Sequence, residues 1–422
     1  MTRNPSRLRI AVVGAGIAGL SAAHFLSKKH EVVLFESDPQ LGGHAHSETI
    51  TAKNGKTFEV DTAFLVFNER TYPQFMQFLK ELQVDQFAIP AEMSSCFSDP
   101  SQNFDYTLGA GLTPFLSTPK VLLQKKFWQI ISDLIRFRKQ AVKDIDNKVD
   151  LSSVTAEEYL KTYSPAFVQN FIWPLTSAIW SLADGNMKHY PIATLLEYFD
   201  NHQLLRGNSD KKWRTFLGSS LVYIKAFQNQ FTGEIRLKTP VLSISRTETH
   251  MMVKTAAYIE SFDNVVLATH ADVAKKLIAE PNELEIQLLA PWKYKNNPVT
   301  LHQDRTILSK NTEMWGSWNM LKQADAYQIS YYLNRLQKLP TNDPVILSLG
   351  EIKVDTQKIL KTFNYRHPVF TQSSVATQPR LKELNGKDRI FFCGSYFGYG
   401  FHEDAIKSAA EVAKWFQTNQ KE

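Results

Sequence analysis

The sequence predicts an α/β protein organised around a Rossmann-like unit with a parallel sheet. Three stretches carry that expectation. Arg9-Ile10-Ala11-Val12-Val13 is a short apolar, β-branched run, followed at once by Gly14-Ala15-Gly16-Ile17-Ala18-Gly19. Asn264–His270 reads as a second buried strand. Arg389–Gly394 reads as a third, ending in glycine just before a helix. Strands this apolar suit a parallel sheet covered on both faces.

The first stretch continues as a βαβ unit. Leu20–Lys29 has helical spacing, with Lys28 and Lys29 in the last turn where cations suit the helix dipole. Glu31–Phe35 is the next strand and ends at Glu36. Each glycine then has a task. Gly14 permits the tight strand-to-helix turn, Gly16 admits a pyrophosphate to the helix N-terminus, and Gly19 lets the helix pack closely on the sheet. Glu36 stands near the spacing expected of an acid that binds an adenosine ribose. The opening residues MTRNPSRLRIAVV superficially mimic a signal peptide, but they form the better dinucleotide motif.

Composition narrows the class. A chain of 422 residues suggests two or three units. The net charge of +6 and a pI near 9.0 mildly favour an anionic partner. No Lys/Arg run or finger spacing points to nucleic acid. Two cysteines, Cys96 and Cys393, rule out a disulfide framework and fit a reducing, cytoplasmic setting. No apolar run is long enough to span a bilayer. The excess lies in the aromatics, 27 Phe, 15 Tyr and 8 Trp, which serve either a core or a pocket for something flat or greasy.

A second glycine pair follows the acid, in Glu36-Ser37-Asp38-Pro39-Gln40-Leu41-Gly42-Gly43-His44. The arrangement VVGAGIAGLSAAHFL…VVLFESDPQLGG resembles the FAD fingerprint of the amine oxidase and phytoene desaturase superfamily. That resemblance implies FAD contacts from Gly14, Ala15, Gly16, Ile17, Ala18, Gly19, Glu36, Ser37, Gly42, Gly43 and His44. The family's usual arginine after the diglycine is His44 here. A metal pair of His44 and His46 finds no further ligands in the sequence, so no metal is expected.

Phe58–Val66 reads as a strand, and the resemblance places Ala63, Phe64 and Leu65 beside the flavin. An ordinary core strand is an equal reading. Residues 71–213 carry mostly helical patterns. Within them Leu122–Val142 combines Phe127, Ile130, Ile131, Leu134 and Phe137 with a basic face. That face is either solvated, the favoured reading, or lies on anionic lipid through 120–143. Phe171–Trp180 is aromatic and uncharged, which nominates Trp173 and Trp180 for a substrate pocket or a core. Phe216–Ser219 leads to a helix over Leu221–Phe231, then to strands at Glu234–Leu237, Thr239–Ile244 and Met251–Thr255. By resemblance Val241 holds the adenine edge. Val299–His302, Met314–Trp318 and Gln328–Leu333 would form the sheet of a second unit, and Phe363–Pro379 reads as a crossing linker.

The C-terminal strand, the glycine-rich turn Ser395–Phe401 and a helix from Ala405 to Trp415 make a second anion site. In the superfamily it holds the ribityl phosphate and the flavin pyrimidine edge, which implies contacts from Gly394, Ser395, Phe401 and His402. The family's acid is Ser395 here, and Asp404 is a candidate N-cap. Cys393 reads as a buried thiol, so noncovalent FAD is expected.

The resemblance therefore implies a discontinuous Rossmann-like FAD-binding domain (1–72, 214–276, 379–422) with an inserted α+β substrate domain (73–213, 277–378). GGHAHSETI, DTAFLVFNERTYP and GYGFHED look most like a group of bacterial amine-oxidase-like flavoproteins associated with lipid modification. The expected activity is FAD-dependent dehydrogenation or desaturation of a hydrophobic substrate, fatty-acyl chains included, by hydride transfer to flavin N5 with an unidentified electron acceptor. A hydrophobic amine oxidase and a non-oxidative flavoprotein are the alternatives. Tyr399 and Phe401 are the catalytic candidates, as steric guides. His302 is the nearest candidate for a group by N5, an ordinary histidine being the favoured reading there.

Overall fold

The computed structural model describes residues 7–109, 118–180, 186–202, 204–206, 213–323 and 326–419. The first six residues of the signal-like segment lie outside them. Five parallel strands lie in the order Glu234–Arg236, Glu31–Phe35, Arg9–Val13, Asn264–Leu267 and Ile390–Phe392. Their central residues, Ile10, Val12, Val266 and Phe391 among them, are fully buried. Helices Ile17–Ser27 and His402–Thr418 cover one face, where Leu20, Ala23, Ile406 and Val412 join the core. An antiparallel sheet of Ser243–Arg246, Met251–Lys254 and Ile259–Phe262 covers the other, with Phe262 set edge-on to Phe35. From Arg9–Val13 the connections run outward in both directions, so the carboxyl ends of Val13 and Leu267 border a crevice at the switch point.

A seven-stranded sheet forms the second unit, in the order Ile359–Val369, Lys293–His302, Ile346–Leu349, Ala326–Tyr332, Trp318–Gln323, Ser95–Asp99 and Phe104–Leu108. Two expectations are corrected here. The region 71–213 is not simply helical, because 95–99 and 104–108 contribute two of these strands; strands so short show little periodicity. Phe363 is not in a linker, since the edge strand 359–369 runs through it and through Pro368, and an edge strand tolerates the missing N–H. The strand expected at 314–318 begins only at Trp318, after a short 3-10 turn. The strand expected over 58–66 ends at Asp61.

The helix Pro165–Phe167, the wide turn Val168–Ile172 and the helix Trp173–Ile179 pack on this sheet. Tyr331 Oη donates to the Ala178 carbonyl at 2.9 Å, and Tyr106 Oη to that of Asn170 at 2.9 Å. The long basic helix runs from Lys125 to Asp146, burying Phe127, Ile130, Phe137 and Ala141. No helix among the described residues is long and apolar enough to cross a membrane.

Candidate functional site

A cavity of about 690 Å³ opens at the switch point and runs toward the second sheet. At the end bordered by Gly14–Ala18 the chain folds as the glycines allow. Gly14 adopts φ +97°, and a β-carbon there would stand 2.9 Å from the Ala268 carbonyl oxygen. Gly42 N donates to the Ala15 carbonyl at 2.9 Å, and Gly43 lies against Gly16. The Gly42–Gly43 pair therefore packs on the Gly14–Gly16 turn, at the start of the helix that begins at Ile17. Glu36 braces this arrangement: its carboxylate accepts from Ala15 N at 2.7 Å and from Asp38 N at 2.9 Å.

Asp61 positions the next segment. Fully buried, it accepts from Ser220 N at 2.9 Å, Ser220 Oγ at 2.6 Å and Ser47 Oγ at 2.7 Å. Burial pushes its carboxyl up to about 6 against those donors. Ala63, Phe64 and Leu65 leave this anchor and enter the cavity wall, where Phe64 stacks on His402 at 3.5 Å between ring centroids. Asp404 is not the N-cap of the last helix. The helix starts at His402, and Asp404 in its first turn accepts from the backbone N–H of the capping residue Phe401 at 3.0 Å.

Nearly all the residues singled out from the sequence line this one cavity: Gly14–Ala18, Glu36, Ser37, Gly42–His44, Ala63–Leu65, Val241, Gly394, Ser395, Phe401, His402, Tyr399 and Trp180. Gly19 sits beneath it, so close to Gly14 that a β-carbon would overlap the Gly14 carbonyl. Two candidates lie elsewhere. His302 is buried at a bulge in the second sheet, with Nε2 2.9 Å from Ser348 Oγ and Nδ1 accepting from Asp304 N. Burial lowers its pKa to about 4. Trp173 starts its helix packed on the core and does not reach the cavity, because only the far end of that helix does. Cys393 is buried on its strand, and burial pushes its thiol up to about 12.

Other lining residues were missed. His270 and His367 gather around His44, with ring centroids 5.9 and 5.2 Å away, and Tyr365 is 5.4 Å away. Tyr198, Trp318, Tyr331 and Phe370 extend the aromatic wall, with Tyr198 stacked on Phe401 at 4.9 Å. Only His270 carried a local signal, as the residue ending a buried strand at the crevice. The others come from distant segments. Among the described residues no group of three or more His, Cys, Asp and Glu is placed to hold a metal ion.

Residues 12–82 match a family model described as an NAD(P)-binding Rossmann-like domain. The chain is 24% identical over 225 residues to the zeta-carotene desaturase of Solanum lycopersicum, a match spanning 48% of this chain and 37% of that enzyme. It is 61% identical over 36 residues to an uncharacterized protein of Methanocaldococcus jannaschii, spanning 8% and 9% of the two chains. The chain thus covers well under two thirds of either relative. Three solved structures superpose on it with a TM-score of 0.67 each. A protein assigned as protoporphyrinogen oxidase from Exiguobacterium sp. 255-15 is 16% identical, covering 97% of this chain and 98% of its own. A fatty acid isomerase from P. acnes is 11% identical (97% and 99%), and a redesigned putrescine oxidase 12% identical (98% and 100%). The chain shares its overall fold with these three enzymes, and its N-terminal segment carries the Rossmann-like signature.

Proposed function

We propose that the chain is an FAD-dependent oxidoreductase that dehydrogenates or desaturates a hydrophobic substrate, with fatty-acyl chains the leading class. One observation carries this reading: a single cavity joins a dinucleotide crevice to a wall of Trp180, Tyr198, Trp318, Tyr331 and Phe370. The residues present fit FAD held noncovalently. The nested glycines leave backbone room at a helix N-terminus, and buried His402 Nε2 and Tyr396 Oη line the cavity without a hydrogen-bond partner among the described residues. When bound, the flavin supplies the two-electron acceptor. The chain's own residues would orient and desolvate: Phe401, Tyr198 and Trp180 pack together and narrow the aromatic end of the cavity, and Tyr399 is held by Glu197 at 3.0 Å.

The described lining contains only two acids, Glu36 and Asp38, both at the nucleotide end. An aromatic wall without a carboxylate suits a neutral apolar segment better than a charged ammonium group. The test is anaerobic: the purified yellow protein is mixed with unsaturated fatty acids, acyl esters or hydrophobic amines, and flavin bleaching is followed. Bleaching by acyl substrates alone supports the proposal. Bleaching by amines alone assigns an amine oxidase, and products isomerised without bleaching assign the non-oxidative alternative. Glu36→Gln should retain FAD about 10- to 100-fold less tightly on dilution, since a bond to a charged acceptor contributes about 1.5–3 kcal/mol.

The substrate's chemistry gives weight to a lipid surface. Leu123 is 86% exposed and Trp128 56% exposed, with Leu122 and Ile135 beside them. Lys120, Lys125, Lys139 and Lys143 make no ion pair among the described residues, whereas Arg136 is tied to Asp133. Exposed apolar side chains and unpaired cations on one segment are suited to an anionic bilayer. We expect the protein to sediment with anionic but not neutral vesicles, and Leu123→Glu with Trp128→Glu to remain in the supernatant. Equal partitioning of the two proteins would refute the contact.

A further inference from the structure

Resting on the FAD reading, we propose that the imidazole cluster around His44 holds the dinucleotide diphosphate in cationic form, so that FAD binding takes up a proton and weakens as pH rises. The position is set by backbone geometry. Gly42 and Gly43 lie on the Ala15–Gly16 turn, which places His44 beside the N-terminus of the 11-residue helix Ile17–Ser27. His270 follows the strand Asn264–Leu267, and Ala268 just after that strand contacts Gly14 at the same crevice. His367 arrives from the edge strand of the second sheet and completes the group, with its ring 5.2 Å from that of His44.

Charge balance makes the demand. A diphosphate brings two negative charges, and a helix N-terminus offers the equivalent of about half a positive one. Arg366 is the only Lys or Arg among the described lining residues, and it already pairs with Asp272 at 2.6 Å. The remaining groups facing His44 carry no positive charge. Tyr365 from the edge strand and Tyr294, stacked on His270 at 4.3 Å, are phenols that burial pushes further from ionisation. From the last helix comes His402, and on its own segment His46 stands 3.6 Å from Glu48.

Among the described lining residues, the imidazoles are therefore the source of cation that no carboxylate already pairs. Their nitrogens are available: His367 Nδ1 and His402 Nε2 are buried without a partner among the described residues, while His44 donates to the Arg366 carbonyl. With no anion beside them, burial and mutual repulsion keep His270, His367 and His402 neutral, at about 3, and lower His44 as well. An anion in contact reverses that balance, because a nearby opposite charge favours the charged form. Mutual repulsion then limits uptake to about one proton shared by the group.

The test uses the flavin-loaded protein. It is diluted at fixed ionic strength at pH 6, 7 and 8, and released flavin is measured by fluorescence to give Kd. The expected result is a Kd that rises from pH 6 to pH 8, with one shared proton setting an upper limit of about tenfold per pH unit. His44→Arg should bind FAD with a Kd that no longer depends on pH, and His367→Gln should flatten the slope while circular dichroism shows the fold intact. A flat wild-type Kd, or a slope that survives in His44→Arg, overturns the proposal while leaving the FAD reading standing. A folded protein that carries no flavin at any of these pH values defeats both.

Discussion

Gly19→Val is expected to cost the protein both its flavin and much of its stability. The first turn of the helix Ile17–Ser27 presses Gly19 onto the carbonyl of Gly14, and Ala268 closes the same space from the neighbouring strand. Any β-carbon there must push backbone, not a flexible side chain, so the helix must lift from the sheet. Overpacking a close-packed core costs about 1–3 kcal/mol, and this site stands at the top of that range or above it because nothing adjacent can rotate away. The displaced helix would also carry its N–H groups away from where the proposed cofactor's pyrophosphate would bind. Thermal melts and the flavin-to-protein ratio after gel filtration check this. A variant with wild-type melting and full flavin content would show that the motif is not built as described. Gly55→Ala is the control, since its space is open, although its φ of +80° adds a small strain.

The second large effect is a loss of stability in acid when the cofactor is absent. An unfolded histidine titrates near 6.5, whereas burial lowers His270, His367 and His402 to about 3 and His302 to about 4. Between those values the unfolded chain binds more protons, so stability falls as pH falls. Two buried carboxyls act in the opposite sense: Asp61 is raised to about 6 and Asp404 to about 7, so each favours the folded state as pH drops toward 4. Four imidazoles set against two carboxyls leave a net of about two protons, on the order of 3 kcal/mol per pH unit between pH 6 and 4. The urea midpoint of flavin-free protein should therefore drop steeply from pH 6 to pH 5. His367→Gln and His402→Asn should shallow the slope. A midpoint constant over that interval would contradict the burial of these rings. Bound flavin should protect, because an anion that shares a proton with the cluster removes part of the mismatch.

The two ends of the chain were the most legible parts. Arg9–Gly19, Glu31–Glu36 and Gly42–Gly43 carry their structure in local terms: β-branched runs, positive-φ glycines and an acid at the end of a strand. Phe391–Gly394 with the helix after it is the same kind of signal. The region after Glu81 was harder. Ser95–Asp99 and Phe104–Leu108 are short strands stabilised by partners as distant as Trp318–Gln323, and Ile359–Val369 hides a strand behind Pro368. His302 illustrates the converse. A histidine near an apolar strand invited a role, but it lies buried in the second sheet, where Ser348 satisfies it.

What the sequence determined by itself was the glycine-lined crevice, because a tight turn, a close helix and an acid at a strand end each depend on residues adjacent along the chain. The aromatic excess, by contrast, had no address until the chain was folded. Tyr198, Trp318, Tyr331 and Phe370 meet Trp180 and Phe401 only because helix 192–201 and the second sheet close over the crevice. The gathering of His44, His270 and His367 was likewise decided by tertiary structure alone. Three segments separated by some 100 to 230 residues supply one imidazole each, and no local periodicity records a meeting that only packing and topology bring about.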